Sequence, residues 1–182
     1  MESITRLNDQ VLRSARRELE ERKYTEILVP RIVRASGACE NIDTLFEVTV
    51  EGDDRWFNGR KGYLAQTGQL YLEAYVPTLK KTYCIGSSFR AEPAVDGRHL
   101  TEFTLLEIEF AGAFEDLLRE IEAVFKRIAN DVLAFPLPHL FGLDPKRLDH
   151  LRLPDRFPEL TYDEAIKVLQ DMGESIVWGE DI

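Results

Sequence analysis

Cysteine is scarce in this chain. Cys39 and Cys84 are the only two in 182 residues, too few and too far apart for a zinc knuckle or a disulfide framework, so both are expected to be plain thiols. No run of about 18 apolar residues occurs, so no membrane-spanning helix is expected. The opening segment, MESITRLNDQVLRSARRELEERKY, lacks an apolar signal region and reads as a charged helix, from which a cytoplasmic protein is expected. Excess basic charge is missing as well. Lys and Arg total 23 against 33 Asp and Glu, a formal charge of −10, which argues against a stand-alone module that grips nucleic acid through phosphates. An enzyme touching one RNA end remains compatible, because net charge says little about a local cleft.

What is present fits one globular domain with a hydrophobic core: 44% hydrophobic and 31% charged residues, with no internal repeat or low-complexity tract. Ile4, Leu7, Val11, Leu12, Ala15 and Leu19 recur at helical spacing across residues 4–22. A short strand is expected at residues 26–29, stopped by Pro30. A polar loop (35–44) follows, then strands at 45–50 and 61–65 around the turn-rich EGDDRWFNGR. Residues 69–79 suit a helix that Pro77 bends or ends. Two longer strands are expected at 82–92 and 101–110, then a helix at 113–133 with one apolar stripe from Phe114 to Val132. Residues 134–160 are proline-rich and irregular. Thr161 and Glu164 form a capping box for a last helix ending near Met172, with Gly173 as its stop. This order indicates an antiparallel α+β domain.

The chemistry concentrates in residues 82–110. In TYCIGSSFRAE, alternation puts Tyr83, Ile85, Ser87 and Phe89 on one face, suited to packing under a helix. Cys84, Gly86, Ser88, Arg90 and Glu92 lie on the other. That second face is small and polar, so a ligand can lie on it, and a fixed guanidinium can clamp phosphate or carboxylate. The next strand sets Thr104, Leu106, Ile108 and Phe110 against Phe103, Leu105, Glu107 and Glu109. Paired as a hairpin, the strands bring Arg90, Glu92, Phe103 and Glu107 to one floor: a phosphate clamp, an acceptor for an amino group, an aromatic plate and a carboxylate for an ammonium. Arg98 and His99 in the connecting loop can reach a polyphosphate. Taken singly, an Arg and a Glu on a strand are more often a solvated pair; the whole string weighs against that.

FRAEPAVDGRHLTEFTLLEIEF resembles motif 2 of the class II aminoacyl-tRNA synthetases, ERKYTEILVPRIV is similar to their motif 1, and YLAQTGQLYLEAYV looks like the amino-acid-binding segment of the aspartyl/asparaginyl subgroup. The resemblance covers nearly all of residues 5–182, closest to the asparaginyl type, with motif 1 at about 5–34 and motif 2 at about 82–110. It implies a class II antiparallel sheet flanked by helices and incomplete at its C-terminal side. Residues 1–182 are then a partial catalytic domain with no anticodon-binding domain and no motif 3.

The resemblance implies ATP-dependent activation of asparagine to an aminoacyl adenylate and transfer to tRNA, by a homodimer joined through motif 1, with ATP and Mg2+ required. Arg90 matches the arginine bridging α-phosphate and substrate carboxylate. Glu92 matches the residue near the adenine amino group, Phe103 the aromatic stacked on adenine, and Arg98 and His99 the loop residues on the outer phosphates. Gln69 and Glu107 fall where the subgroup holds the backbone end of the amino acid. Glu40 matches the acidic residue of the mobile loop after motif 1, although Asn41-Ile42-Asp43 departs from that loop's glycine-rich pattern. Leu72 stands where aspartyl enzymes place a lysine, and Glu73 matches the asparaginyl-type glutamate, which accepts from an amide NH2 and repels a second carboxylate. Magnesium ligands are expected mainly in the missing part, and a second chain supplying motif 3 is one expected partner. Two alternatives stay open at this point: a tRNA-independent adenylating or amide-forming ligase, and a non-catalytic paralogue acting as a binding subunit.

Overall fold

The protein is described here by a computed structural model covering residues 2–35, 42–52, 58–92, 100–136, 141, 148–149 and 152–180. Helix α1 (Glu2–Glu21) opens the fold and turns Ser14, Ala15 and Leu19 inward. Its outer face carries i,i+4 pairs, Arg6 with Glu2 at 2.7 Å and Arg13 with Asp9 at 2.8 Å. Such pairs help a charged helix face by a few tenths of a kcal/mol each. Lys23, at a positive φ of 67°, turns the chain out of the helix, and strand β1 (Thr25–Glu26) follows. The expected strand is shorter than its hydrophobic run, although Ile27 N–H still donates to Tyr83 O at 2.8 Å.

Strands β2 (Ile32–Val33), β3 (Glu47–Val48) and β4 (Gly62–Leu64) make a small antiparallel sheet in the order β2-β4-β3. A single 3-10 turn, Ile42–Thr44, precedes β3. Helix α2 (Gln69–Leu79) spans the expected residues. Pro77 does not end it: the helix runs two residues further, and Lys80 N–H closes on Val76 O at 2.8 Å.

The main sheet has the order β1-β5-β6, with β5 (Lys81–Phe89) parallel to β1 and antiparallel to β6 (Glu102–Phe110). The register runs from Lys81 opposite Phe110 to Phe89 opposite Glu102. The ladder stops at Phe89 rather than Glu92, although Arg90 N–H still donates to Thr101 O at 2.9 Å. Among the described residues β6 has a strand neighbour on one side only. Helix α3 (Phe114–Ala134) and helix α4 (Tyr162–Asp171) are the longer elements that follow among the described residues. The capping box holds at α4: Glu164 N–H donates to Thr161 Oγ1 at 3.3 Å, while Thr161 N–H donates to Glu164 Oε2 at 2.8 Å. Gly173, at a φ of +93°, turns the chain away.

The alternation read from the sequence decides which face of the sheet is dry. Leu19, Tyr24, Tyr83 and Val124 form the buried cluster, with Ile85, Leu106, Ile108, Phe110 and Ile128 packed on it. One side of the β5–β6 hairpin is thus sealed by α1 and α3. A polar staple closes its end. Glu120, 7% exposed, accepts from Lys81 Nζ at 2.7 Å and Arg22 Nη1 at 3.1 Å. The Lys81 ammonium also lies over the rings of Tyr24 and Phe110, at 4.9 and 5.7 Å. The opposite side of the hairpin carries the residues expected to bind.

Candidate active site

Direct pairing of Ser88 with Phe103, Gly86 with Leu105, Cys84 with Glu107 and Thr82 with Glu109 puts all eight residues on one face. Near its upper end the Arg90 guanidinium lies 5.4 Å from the centroid of the Phe103 ring. The ring face offers the cation a cation–π partner, and Arg90 Nε is buried without a hydrogen-bond partner. A buried donor left unpaired costs about 1–3 kcal/mol, and such strain is characteristic of a binding group. Glu92 lies two residues further and is half-buried. Arg98, His99 and Glu40 lie outside the described residues, as does Cys39.

The lower end is acidic. Glu107 is held from the start of α2: Gly68 N–H donates to Oε2 at 2.9 Å and to Oε1 at 3.2 Å, the Thr67 hydroxyl donates to Oε1, and the Cys84 thiol reaches Oε2 at 3.4 Å. Thr67 Oγ1 in turn accepts from Gln69 N–H at 3.0 Å, tying the helix start to the carboxylate. The positive end of the helix dipole adds to these contacts. Gly68 permits the approach, since a Cβ there would meet Cys84 Sγ at 2.7 Å and Val29 Cγ2 at 3.1 Å. Burial first, and the Glu107 charge second, push the Cys84 thiol up to about 12, so it stays protonated near neutrality.

One turn along α2, Gln69 Nε2 donates to Glu73 Oε1 at 3.0 Å. Glu109 sits beyond Glu107, and its carboxyl is held above the usual range by burial, then by the charges of Glu73 and Glu107. None of these three carboxylates forms an ion pair with a described residue. The hairpin therefore presents a bipolar face, a guanidinium over an aromatic ring at one end and carboxylates at the other. Phe103 and Glu107 are four residues apart on β6, about 13 Å at strand rise. Leu72, where the aspartyl subgroup carries lysine, is fully buried, and its carbonyl accepts from Thr82 Oγ1 at 3.3 Å.

Three neighbours of the floor were not singled out as site residues by sequence reasoning. Glu109 was placed on the correct face without a role, and its alternation with Glu107 was the available signal. Thr67 had only its place beside Gln69. Arg31 gave no signal. Its guanidinium crosses Gly86 and donates to Ser87 O at 3.1 Å and Ile85 O at 3.4 Å. It fills the gap between the end of β1 and Ala65, whose carbonyl accepts from Phe89 N–H at 3.1 Å.

Residues 1–176 match the family described as tRNA synthetases class II (D, K and N). The chain belongs to this family. An asparagine–tRNA ligase of Desulforamulus reducens is 37% identical over 182 residues, covering 98% of this chain and 40% of the relative. One from Thermococcus kodakarensis is 33% identical over 189 residues, covering 99% and 40%. Among solved structures, asparaginyl-tRNA synthetase from Pyrococcus horikoshii complexed with asparaginyl-adenylate superposes with a TM-score of 0.83 at 32% identity, covering 99% of this chain and 40% of that one. The Entamoeba histolytica enzyme, also with asparaginyl-adenylate, gives 0.75 at 33%, covering 97% and 38%. The chain thus has the α+β fold of the class II synthetases and spans about 40% of the length of the relatives it matches.

Proposed function

We propose that this chain supplies the ATP- and asparagine-binding floor of an asparagine–tRNA ligase. The bipolar face carries the reading: Arg90 beside the Phe103 ring, with Nε unpartnered, stands at one end of the hairpin, and Glu107 and Glu109 of β6 with Glu73 of the adjoining α2, none ion-paired with a described residue, stand at the other. An aminoacyl adenylate has the same polarity, with phosphate and adenine at one end and an ammonium at the other. A carboxylate oxygen of asparagine attacks the α-phosphorus, the bond to the bridging oxygen breaks, and pyrophosphate leaves. A terminal ribose hydroxyl of tRNA then attacks the carbonyl carbon, and AMP departs. Arg90 offsets charge on the α-phosphate and Phe103 supports the adenine, with Arg98, His99 and Glu92 acting on the rest of the nucleotide. Glu107, fixed by the α2 start, and Glu109 attract the ammonium. Glu73, oriented by Gln69, accepts from the side-chain amide and disfavours aspartate by repulsion. Glu40 closes the substrate side.

Among the described residues no group of three or more His, Cys, Asp or Glu could hold a metal ion. Association through α1 and the segment after it is supported by Leu28, 96% exposed, and by Ile4 and Ile32, 58% and 44% exposed. The outer edge of β6 offers unpaired backbone where further strands of the domain can add, from this polypeptide or another.

ATP–pyrophosphate exchange on the purified chain tests the reading, with asparagine and then aspartate as the added amino acid. Exchange with asparagine alone is expected wherever the floor is completed. ATP binding that survives Arg90→Ala, or exchange favouring aspartate, would sink it.

A further inference from the structure

Most arginines of the described residues are matched to carboxylates. Arg6, Arg13, Arg16, Arg17, Arg22, Arg119, Arg127, Arg152 and Arg156 all lie within 4.0 Å of an Asp or Glu. Arg31 caps backbone carbonyls and Arg90 lies on the floor. That leaves Arg34 and Arg60, both exposed and neither paired with a described carboxylate. The fold brings these two to one place. The β2–β4 register sets Val33 opposite Tyr63, so Arg34 leaves β2 at the end of the small sheet where Arg60 and Lys61 enter β4. Together with Tyr63, Leu70 and Tyr71 they line a cavity of about 590 Å³. Lys61 is partly offset by Glu47 at 2.7 Å, whereas no described carboxylate offsets the guanidinia.

We propose that this cavity is a second binding site, separate from the floor, for the phosphates of a single-stranded RNA segment. Two guanidinia unpaired among the described residues offer forked donors to phosphate oxygens, and the exposed Tyr71 beside the half-buried Tyr63 offers ring faces to bases. A local basic and aromatic cleft on a chain of net charge −10 confines a polyanion to one surface. The position suits an RNA end that reacts on the floor. The first turn of α2 contributes Leu70 and Tyr71 to the cavity, while Gln69 and Glu73 of the same helix belong to the acidic corner. This assignment rests on the tRNA-ligase reading and names where the RNA is held.

The test is fluorescence anisotropy of an in vitro tRNA transcript with the full chain, between about 50 and 200 mM salt. R34E/R60E is expected to weaken binding at least about tenfold at the lower salt and to reduce the slope of log affinity against log salt by about two. R34K/R60K should keep the slope. Y71A should lose affinity by about tenfold with no change of slope. Thermal midpoints equal to that of the unaltered chain establish folding, and if R34E/R60E fails this check, Y71A carries the test. Equal binding by R34E/R60E, no binding by the unaltered chain, or the same loss from R6E/R13E on α1 would overturn the assignment. Pyrophosphate exchange separates the two ideas: asparagine-dependent exchange without RNA binding ends the cavity proposal alone. Cavity-dependent RNA binding without exchange under any completion of the floor upholds the site and ends the ligase reading.

Discussion

The two faces of one hairpin have opposite characters. Toward α1 and α3, β5 and β6 present Tyr83, Ile85, Leu106, Ile108 and Phe110, and the charges at that interface are matched, Glu120 against Arg22 and Lys81. On the other side the same backbone carries Arg90 with an orphan Nε, and Glu107 and Glu109, which form no ion pair with a described residue. Adjacent residues of the same strands therefore serve stability on one face and, in the proposed reading, binding on the other. Changes on one face should move the fold, and changes on the other the ligand.

The largest effect expected is on the open face. Arg90→Ala should lower ATP affinity or exchange by about 10²–10³-fold, the scale for removing one preorganised donor to a developing anion, while the urea midpoint stays put. Calorimetric titration with ATP and urea unfolding of the same variant check both halves, and a shifted midpoint would blur the division between the faces. Leu19→Ala should do the reverse. Leu19 is fully buried, and its loss should cost about 3 kcal/mol of unfolding free energy, read from urea curves.

Glu120→Ala should cost about 2–3 kcal/mol in the same measurement, because Lys81 and Arg22 would lose their shared acceptor at a nearly buried position. The effect should not be reproduced by Glu2→Ala, whose partner Arg6 is exposed.

The smallest effects concern pH and have opposite signs on the two faces. Glu26 accepts from Arg16 and from the Tyr83 hydroxyl at 2.9 Å, contacts that hold its carboxyl below the usual range. Its stabilisation is present above the unfolded pKa and fades as pH falls through the lower folded value. Arg16→Gln should flatten the acid side of a stability–pH curve. Glu109 is raised, by burial before charge, so folding favours its protonated form and the chain is penalised as pH rises past the unfolded value. Glu109→Gln should therefore raise the thermal midpoint slightly at pH 7 and leave it unchanged at pH 4. A fall at pH 7 would remove the idea that the acidic corner is held at a cost to stability.

Much of this division was legible in sequence. Period-two alternation in TYCIGSSFRAE and TEFTLLEIEF assigned Tyr83 to Phe89 of β5 and Phe103 to Phe110 of β6 to their faces, since pleating leaves no other choice once one side is apolar. Thr161, Glu164 and Gly173 marked the last helix because capping chemistry is local. The two-residue strand β2 was missed, and the 26–29 strand proved shorter, because pairs so brief are stabilised by their neighbours rather than by propensity. Residues 134–160, read as proline-rich and irregular, lie partly outside the described residues, and the described stretch 152–160 carries no helix or strand.

Sequence by itself determined which residues turn to the helices and which to the opposite face of the hairpin, because both follow from periodicity within short segments, and its motif strings carried the family resemblance. Tertiary structure decided the contacts between distant segments. Arg31 spans 54 positions to reach Ile85, Glu107 is gripped from the start of α2, 39 positions away, and Arg34 and Arg60 line one cavity. Contacts of this kind depend on the angle and depth at which elements pack, and no local rule of sequence encodes those quantities.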